Sequence, residues 1–176
     1  EGRVDMTVLL INSDRSTYID LHEIFPSADL IFTSGSTFMT RPMMDQKENG
    51  PFVFSSGREG RYLNQVDISI VDDGGQIINR SYHEAKINYF KKRIDRYRDK
   101  DPGVPLNELY SEQPSILSSI SESQNEIKRM GEVLRLKTNS ITFQNIAMDS
   151  RVKDNPEMLE HVNRSIKKCK DLIDNH

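Results

Sequence analysis

Residues 28–44 read ADLIFTSGSTFMTRPMM, and residues 49–77 read NGPFVFSSGREGRYLNQVDISIVDDGGQI. Leu30 to Thr33 is a short apolar run with the length and branching of a strand, and Ser34-Gly35-Ser36 forms a loop at its carboxyl end. Phe52-Val53-Phe54 predicts the next strand, Gly57 and Gly60 bracket a turn, and Tyr62 to Val71 predicts a longer strand with Leu63, Val66, Ile68 and Ile70 available for burial. Asp72-Asp73-Gly74-Gly75 carries a hairpin-turn composition and predicts a return along Gln76-Ile77-Ile78. The stretch therefore reads as half of a sheet-rich sandwich. In open α/β sheets, sites are built outside the carboxyl ends of the strands, so the Ser34-Gly35-Ser36 loop is where chemistry is expected.

Upstream, Val4 to Ile11 is a continuous β-branched run, as expected of a strand buried on both faces. Asn12-Ser13-Asp14 breaks it, and Asp14 or Ser16 is placed to cap a short helix running to about Phe25, with Ile19, Leu21 and Ile24 inward and Pro26 ending it. Downstream the period changes. From His83 to about Lys100, Ile87, Phe90, Ile94 and Tyr97 recur every three or four residues on a charged helix. Asp101-Pro102-Gly103-Val104-Pro105 ends it. A second helix is expected from Ser111 or Glu112 to about Leu134, with Pro114 in its first turn and a stripe of Ile116, Ile120, Ile127, Met130 and Leu134, Ser123 filling the position between. Two such stripes joined by a proline-containing loop predict an antiparallel helical hairpin. Asn139 to Met148 returns to strand character. Asp154 or Asn155 before Pro156 then opens a last helix with Met158, Val162, Ile166, Cys169 and Ile173 on one stripe. The expected organisation is a sheet region over 1–80, a hairpin over 81–137, and a strand plus a terminal helix packing back over 138–176.

The chain has 176 residues, 35% hydrophobic and 29% charged, without tryptophan. Its mean hydropathy of −0.64 is low for a compact domain and points to an elongated surface or to a partner covering part of the chain. A net charge of −3 gives no general drive toward nucleic acid or anionic membranes, and no apolar run approaches the roughly 20 residues of a membrane span. The single cysteine excludes an internal disulfide or a paired-cysteine metal or haem site within these residues. No signal peptide is visible and residue 1 is Glu, so a mature, processed or partial chain is expected.

The order of the 28–77 block resembles the end of the catalytic domain of calcineurin-like metallophosphoesterases, the 5′-nucleotidase-like branch in particular. There a strand runs into Gly-His-Thr-His, followed by an Asn-Gly-x-Pro-Val-Val strand, a Gly-x-x-Gly-x-Tyr-Leu-Gly turn and a closing Leu-Asp-(Leu/Ile) strand. The resemblance covers about Val4 to Ile78, and more weakly Asn139 to Leu172, where Asp154-Asn155-Pro156-Glu157-Met158-Leu159 is similar to the opening of a terminal helix in some exported relatives. It implies an α/β (α+β) fold: the C-terminal half of a metallophosphoesterase-type αββα sandwich, with an appended hairpin and a C-terminal helix. It also implies a two-metal centre, which needs nitrogen or carboxylate donors. Here Gly35-Ser36-Thr37-Phe38 stands where Gly-His-Thr-His is expected, and Asn12 stands where the preceding strand would end in a histidine. Asn12, Ser36 and Phe38 are thus degenerate metal-site positions, and no cofactor is expected.

The reading that follows is a non-catalytic structural or docking subunit, held with other protein subunits or as a homo-oligomer, because half a sandwich leaves an apolar face to be covered. Family analogy implies a periplasmic or extracellular location and a multihaem cytochrome as one such partner. The alternative is one segment of an active metal-dependent phosphoesterase whose ligands lie in another segment or chain; a third is an adaptor built on the hairpin. Ile87, Phe90, Ile94, Tyr97, Ile116, Ile120, Ile127 and Met130 are the candidate interaction residues of that hairpin. Arg58 is a candidate anion contact, since a guanidinium matches oxyanion geometry, although a turn arginine beside Glu59 has an ordinary reading as a surface pair. Glu157 and His161 lie one turn apart without a third ligand, His22 and His83 have no partner pattern, and Asn79 and Asn163 open short Asn-x-Ser matches. Lys86 to Lys100 is basic but interleaved with acids, as a solvated helix face is.

Overall fold

The computed structural model describes residues 4–12, 20–35, 37–46, 50–72 and 74–174, with side chains as far as 171. Among these residues it is a mixed α/β structure with two three-stranded sheets and five helices. Asp14, Ser16, Ile19, Ser36 and Asp73, and the side chain of Ile173, lie outside the described residues. The chain divides into two compact units, Glu1–Ile146 and Ala147–His176.

The first sheet has the order β1-β2-β3, formed by Val8–Asn12, Leu30–Ser34 and Phe52–Ser55, all parallel. Side chains alternate across it with period two. One face carries Ile31 and Val53, packed with Leu21, Ala28, Leu9, Ile11 and Phe25 around the short helix α1, Leu21–Ile24. The other carries Leu30, Phe32, Phe52 and Phe54, packed against Ile141, Phe143 and Val66 of the second sheet. Phe54 is fully buried at this junction, with its ring 4.6 Å from that of Phe143 and 5.6 Å from that of Phe32. Burying such side chains is worth about 1.5–3 kcal/mol each, which makes this layer contact the main stabilising element of the sheets.

Three sequence expectations are corrected here. Ile24, expected inward, is 52% exposed, because a one-turn helix presents only Leu21 to the sheet. β1, expected to be buried on both faces, alternates instead, with Val8 46% and Leu10 81% exposed. The expected hairpin from β4, Tyr62–Ser69, to β5, Ile78–Asn79, does not form. β6, Ser140–Ala147, lies between them in the order β4-β6-β5 and runs parallel to β5.

The reason is Asn139, which is 3% exposed. Its Oδ1 accepts from the backbone N–H of Val71 (2.7 Å) and Asp72 (3.0 Å), while its Nδ2 donates to the carbonyls of Asp72 (2.7 Å) and Gly75 (2.9 Å). All four bonds a carboxamide can make are used. Asp72 and Gly75 are therefore gathered around a side chain that precedes the next strand, with Gly74 at φ +78° supplying a left-handed residue. Of the four residues read as available for burial, Val66 packs against the core, whereas Leu63, Ile68 and Ile70 are 40–56% exposed.

Helix α2 spans Arg80–Arg98 and begins earlier than the period suggests, because Asn79 caps it by accepting from the N–H of Tyr82 at 3.0 Å. A short helix α3, Leu106–Leu109, precedes α4, Pro114–Leu134, which has its proline in the first turn. α2 and α4 pack along each other. Arg80 reaches the Leu134 carbonyl, Arg93 the Ser119 hydroxyl, and the Tyr110 hydroxyl donates to the Tyr97 carbonyl, so the two helices run antiparallel. Ile94, Ile120, Ser123 and Met130 are buried, whereas Ile87, Phe90, Tyr97, Ile116 and Ile127 are half-buried.

In the second unit, α5 spans Pro156–Asp174, and Asn155 Oδ1 accepts from the N–H groups of Glu157 and Met158 at 3.1 Å each. Met158, Leu159, Val162 and Ile166 on its apolar stripe are exposed. So is Cys169, on the same stripe.

Candidate functional site

The loops leaving β2 and β3 meet beyond the carboxyl end of the first sheet, and hydrogen bonds lock them together. Met39 bridges Ser56 as an antiparallel pair, and the Thr40 N–H donates to the Ser55 carbonyl at 3.0 Å. Buried Thr40 accepts through Oγ1 from the Ser55 N–H at 2.9 Å. Ser55 Oγ donates to the Phe38 carbonyl (2.8 Å) and accepts from the Gly57 N–H (3.3 Å). Asn145 of β6 fastens the same loop by donating to the Thr40 carbonyl at 2.7 Å. These positions are small and hydroxyl-bearing because two backbones approach closely here; a β-carbon on Gly57 would sit 3.4 Å from that of Met39.

Above this floor lies an open pocket of about 660 Å³, lined by Phe38 and Tyr62 and by three guanidiniums, Arg41, Arg58 and Arg61. The structure thus brings two sequence-derived candidates, Phe38 and Arg58, into one cavity. Asn12 sits at the exposed end of β1, in register with Ser34, and does not line that pocket. Ser36 is outside the described residues. The phenyl ring of Phe38 offers no metal donor, and among the described residues no group of three His, Cys, Asp or Glu side chains is placed to hold an ion.

Arg41 and Arg61 escaped the sequence reading, although Arg61 follows the same glycine turn as Arg58. Glu59 stands between the two turn arginines, with Oε2 2.6 Å from Arg61 and Oε1 3.7 Å from Arg58 Nε. It holds φ +62°, the left-handed region that disfavours a side chain.

A second cavity of about 700 Å³ lies beside the start of α2 and includes Asp29, Asp45, Asn79, Tyr82 and His83 in its lining. Tyr82 donates its phenol to Asp45, and Lys86 lies 3.9 Å from that carboxylate and 5.3 Å from the centre of the Tyr82 ring. Burial first, then the hydrogen bond to Asp45, pushes the Tyr82 phenol up to about 12. His83 is held below the usual imidazole range by burial and then by Arg129 and Arg80, and its buried Nδ1 has no hydrogen-bond partner among the described residues. Glu157 and His161 are both exposed on α5.

Set against known proteins, the chain matches no family model, no curated protein and no solved structure. No helix among the described residues is long and apolar enough to cross a membrane.

Proposed function

We propose that the chain is a non-catalytic docking subunit, built on a sheet scaffold of the metallophosphoesterase type, whose uncovered apolar strands are seats for another protein. The observation that carries this reading is Leu10, 81% exposed on an edge strand. It shares a sheet face with Phe32, its register partner, and hence with Phe54 beyond. The second sheet packs over the Phe54 end of that face, while Val8 and Leu10 remain in water. Parallel sheets are normally covered on both sides, and contiguous apolar surface at an unpaired edge marks an association site.

Asn12 and Phe38 weigh against the reading as a segment of an active phosphoesterase, since neither replaces an imidazole donor. The half-buried residues Ile87, Phe90, Tyr97, Ile116 and Ile127 offer a second apolar strip on the hairpin. Sedimentation of the chain at micromolar concentration and in extract tests the reading. The expected result is a species heavier than 20.3 kDa, reduced to the single chain by Leu10→Asp and left intact by Lys92→Ala. A Leu10→Asp chain that sediments like the parent overturns it.

A further inference from the structure

The described side chains of α5 are all exposed, and its apolar residues follow a regular spacing. Leu159, Val162, Ile166 and Cys169 are separated by three, four and three positions, and Ile173 continues the pattern in the sequence. A helix of 3.6 residues per turn sets such positions on one narrow seam, the arrangement by which one helix packs along another with interlocking side chains. Met158 borders the seam and is 62% exposed. A helix in a protein owes most of its stability to packing of its apolar face, so this seam calls for a second helix. The charges say which one. From Pro156 to Asn163 the charged residues are Glu157 and Glu160. From Arg164 to Lys170 they are Arg164, Lys167, Lys168 and Lys170, before Asp171 and Asp174 end the helix. A helix that is acidic in its first half and basic in its second is complementary to itself, reversed.

We propose that a second copy of this chain covers the seam, the two α5 helices running antiparallel. In that orientation Leu159 of one copy meets Cys169 of the other, and Val162 meets Ile166. The flank that carries Glu160, Asn163, Lys167 and Lys170 then faces its own counterpart. Glu160 of one copy comes level with Lys167 of the other, and two-fold symmetry repeats the pair. The pair that Glu160 makes with Arg164 in its own helix is long, at 3.8 Å, and lies in solvent, so it yields readily. A parallel orientation would instead set Lys167 and Lys170 beside Lys168 of the other copy, like against like, with the helix dipoles aligned. The seam is short, so a dissociation constant on the order of 0.1 mM is expected, and at micromolar concentration the chain is unpaired through α5. This surface is separate from β1 and the hairpin, on which the docking reading rests.

Cysteine trapping of the full chain at sub-millimolar concentration reads the pairing directly, because Cys169 is the only cysteine. Antiparallel helices hold Cys169 about 15 Å from Cys169 of the second copy, beyond the roughly 7 Å between α-carbons that a disulfide spans. Mild air oxidation should therefore leave the parent a monomer. Leu159→Cys, which places a cysteine opposite Cys169, should yield a disulfide-linked dimer, and adding Cys169→Ser should abolish it. The same distance separates residues 159 and 169 along one helix, which excludes a link within the chain. In the Leu159→Cys background, Glu160→Lys and Lys167→Glu should each lower the yield about threefold at low salt. An equimolar mixture of these two chains should restore it, because each then meets the opposite charge twice. Rescue by mixing separates a contact between copies from a change in helix stability. Leu10→Asp should leave the yield unchanged, so this result and the edge-strand reading can fail separately. A parent that cross-links as fully as Leu159→Cys overturns the proposal. So does the absence of a dimer from Leu159→Cys, a mixture no better than its parts, or a yield that falls with Leu10→Asp.

Discussion

The two edges of the first sheet are finished differently. At β3 the outer edge is closed by side chains: Gln46 donates through Nε2 to the Val53 carbonyl and accepts through Oε1 from its N–H, both at 3.0 Å, as a neighbouring strand would. Thr40 does the same for the Ser55 N–H. At β1, among the described residues, no further strand joins the sheet, and its exposed residues are Val8, Leu10 and, at its end, Asn12. An edge whose polar groups are answered by loop side chains is a completed surface, whereas an edge that combines open backbone with apolar side chains is a surface still to be paired. Two strands of one sheet thus point to different fates, one inside this chain and one outside it.

The largest expected effect lies beneath both edges. Phe54→Ala removes the ring that joins Phe32 to Phe143 in a site with no exposure, and should cost about 3–5 kcal/mol in urea unfolding. If the loss is below about 1 kcal/mol, the two sheets do not share one core. The β3 edge comes next. Thr40→Val keeps the shape but strands the buried Ser55 N–H, at a cost of about 1–3 kcal/mol, and Gln46→Ala should cost about 1 kcal/mol. Stability unchanged in both variants would mean that this edge is no better closed than β1.

The loop that carries Gln46 is tied to α2 through Asp45 and Tyr82, which makes its attachment sensitive to alkali. With the phenol pushed up from its ordinary 10.0 to about 12, the folded chain favours the protonated form. The stability from this group is whole below pH 10 and is lost as pH rises through 12. An ultraviolet absorbance titration of the parent compared with Tyr82→Phe should therefore assign to Tyr82 an ionisation near pH 12, and Asp45→Ala should lower it. If the Tyr82 step lies at the ordinary 10.0, the tether is absent.

Much of this contrast was not legible in the sequence. The strands announced themselves as apolar, β-branched runs, and Asn155-Pro156 marked the start of α5 because both residues act locally, one through a side-chain cap and one through a fixed φ. The β4–β5 hairpin misled because Asp-Gly-Gly does specify a turn, but not what lies beside it. Asn139 decides that from some 65 residues away. The exposure of β1 was hidden for a related reason: Val-Leu-Leu-Ile reads as doubly buried wherever it occurs, and only the extent of the opposing sheet says whether a second cover exists. At the candidate site Arg58 was recognisable by its turn. Arg41 joins it through the Met39–Ser56 bridge, a pairing without a local signal.

The smallest expected effect is the most discriminating. Leu10→Ser in the chain alone should change unfolding free energy by no more than about 0.5 kcal/mol, because the leucine is already 81% in water and has little burial to lose. The neighbouring Leu30→Ser, on the same face but 1% exposed, should cost several times that amount, about 2–5 kcal/mol. The same Leu10→Ser change should reduce the heavier species seen in sedimentation, because an apolar side chain seated in a partner is worth about 1.5–3 kcal/mol. Neutral folding with weakened association is the signature of an edge kept for another chain. Destabilisation of the isolated chain comparable to that of Leu30→Ser would place a cover over β1 within this chain, and the contrast between the two edges would then disappear.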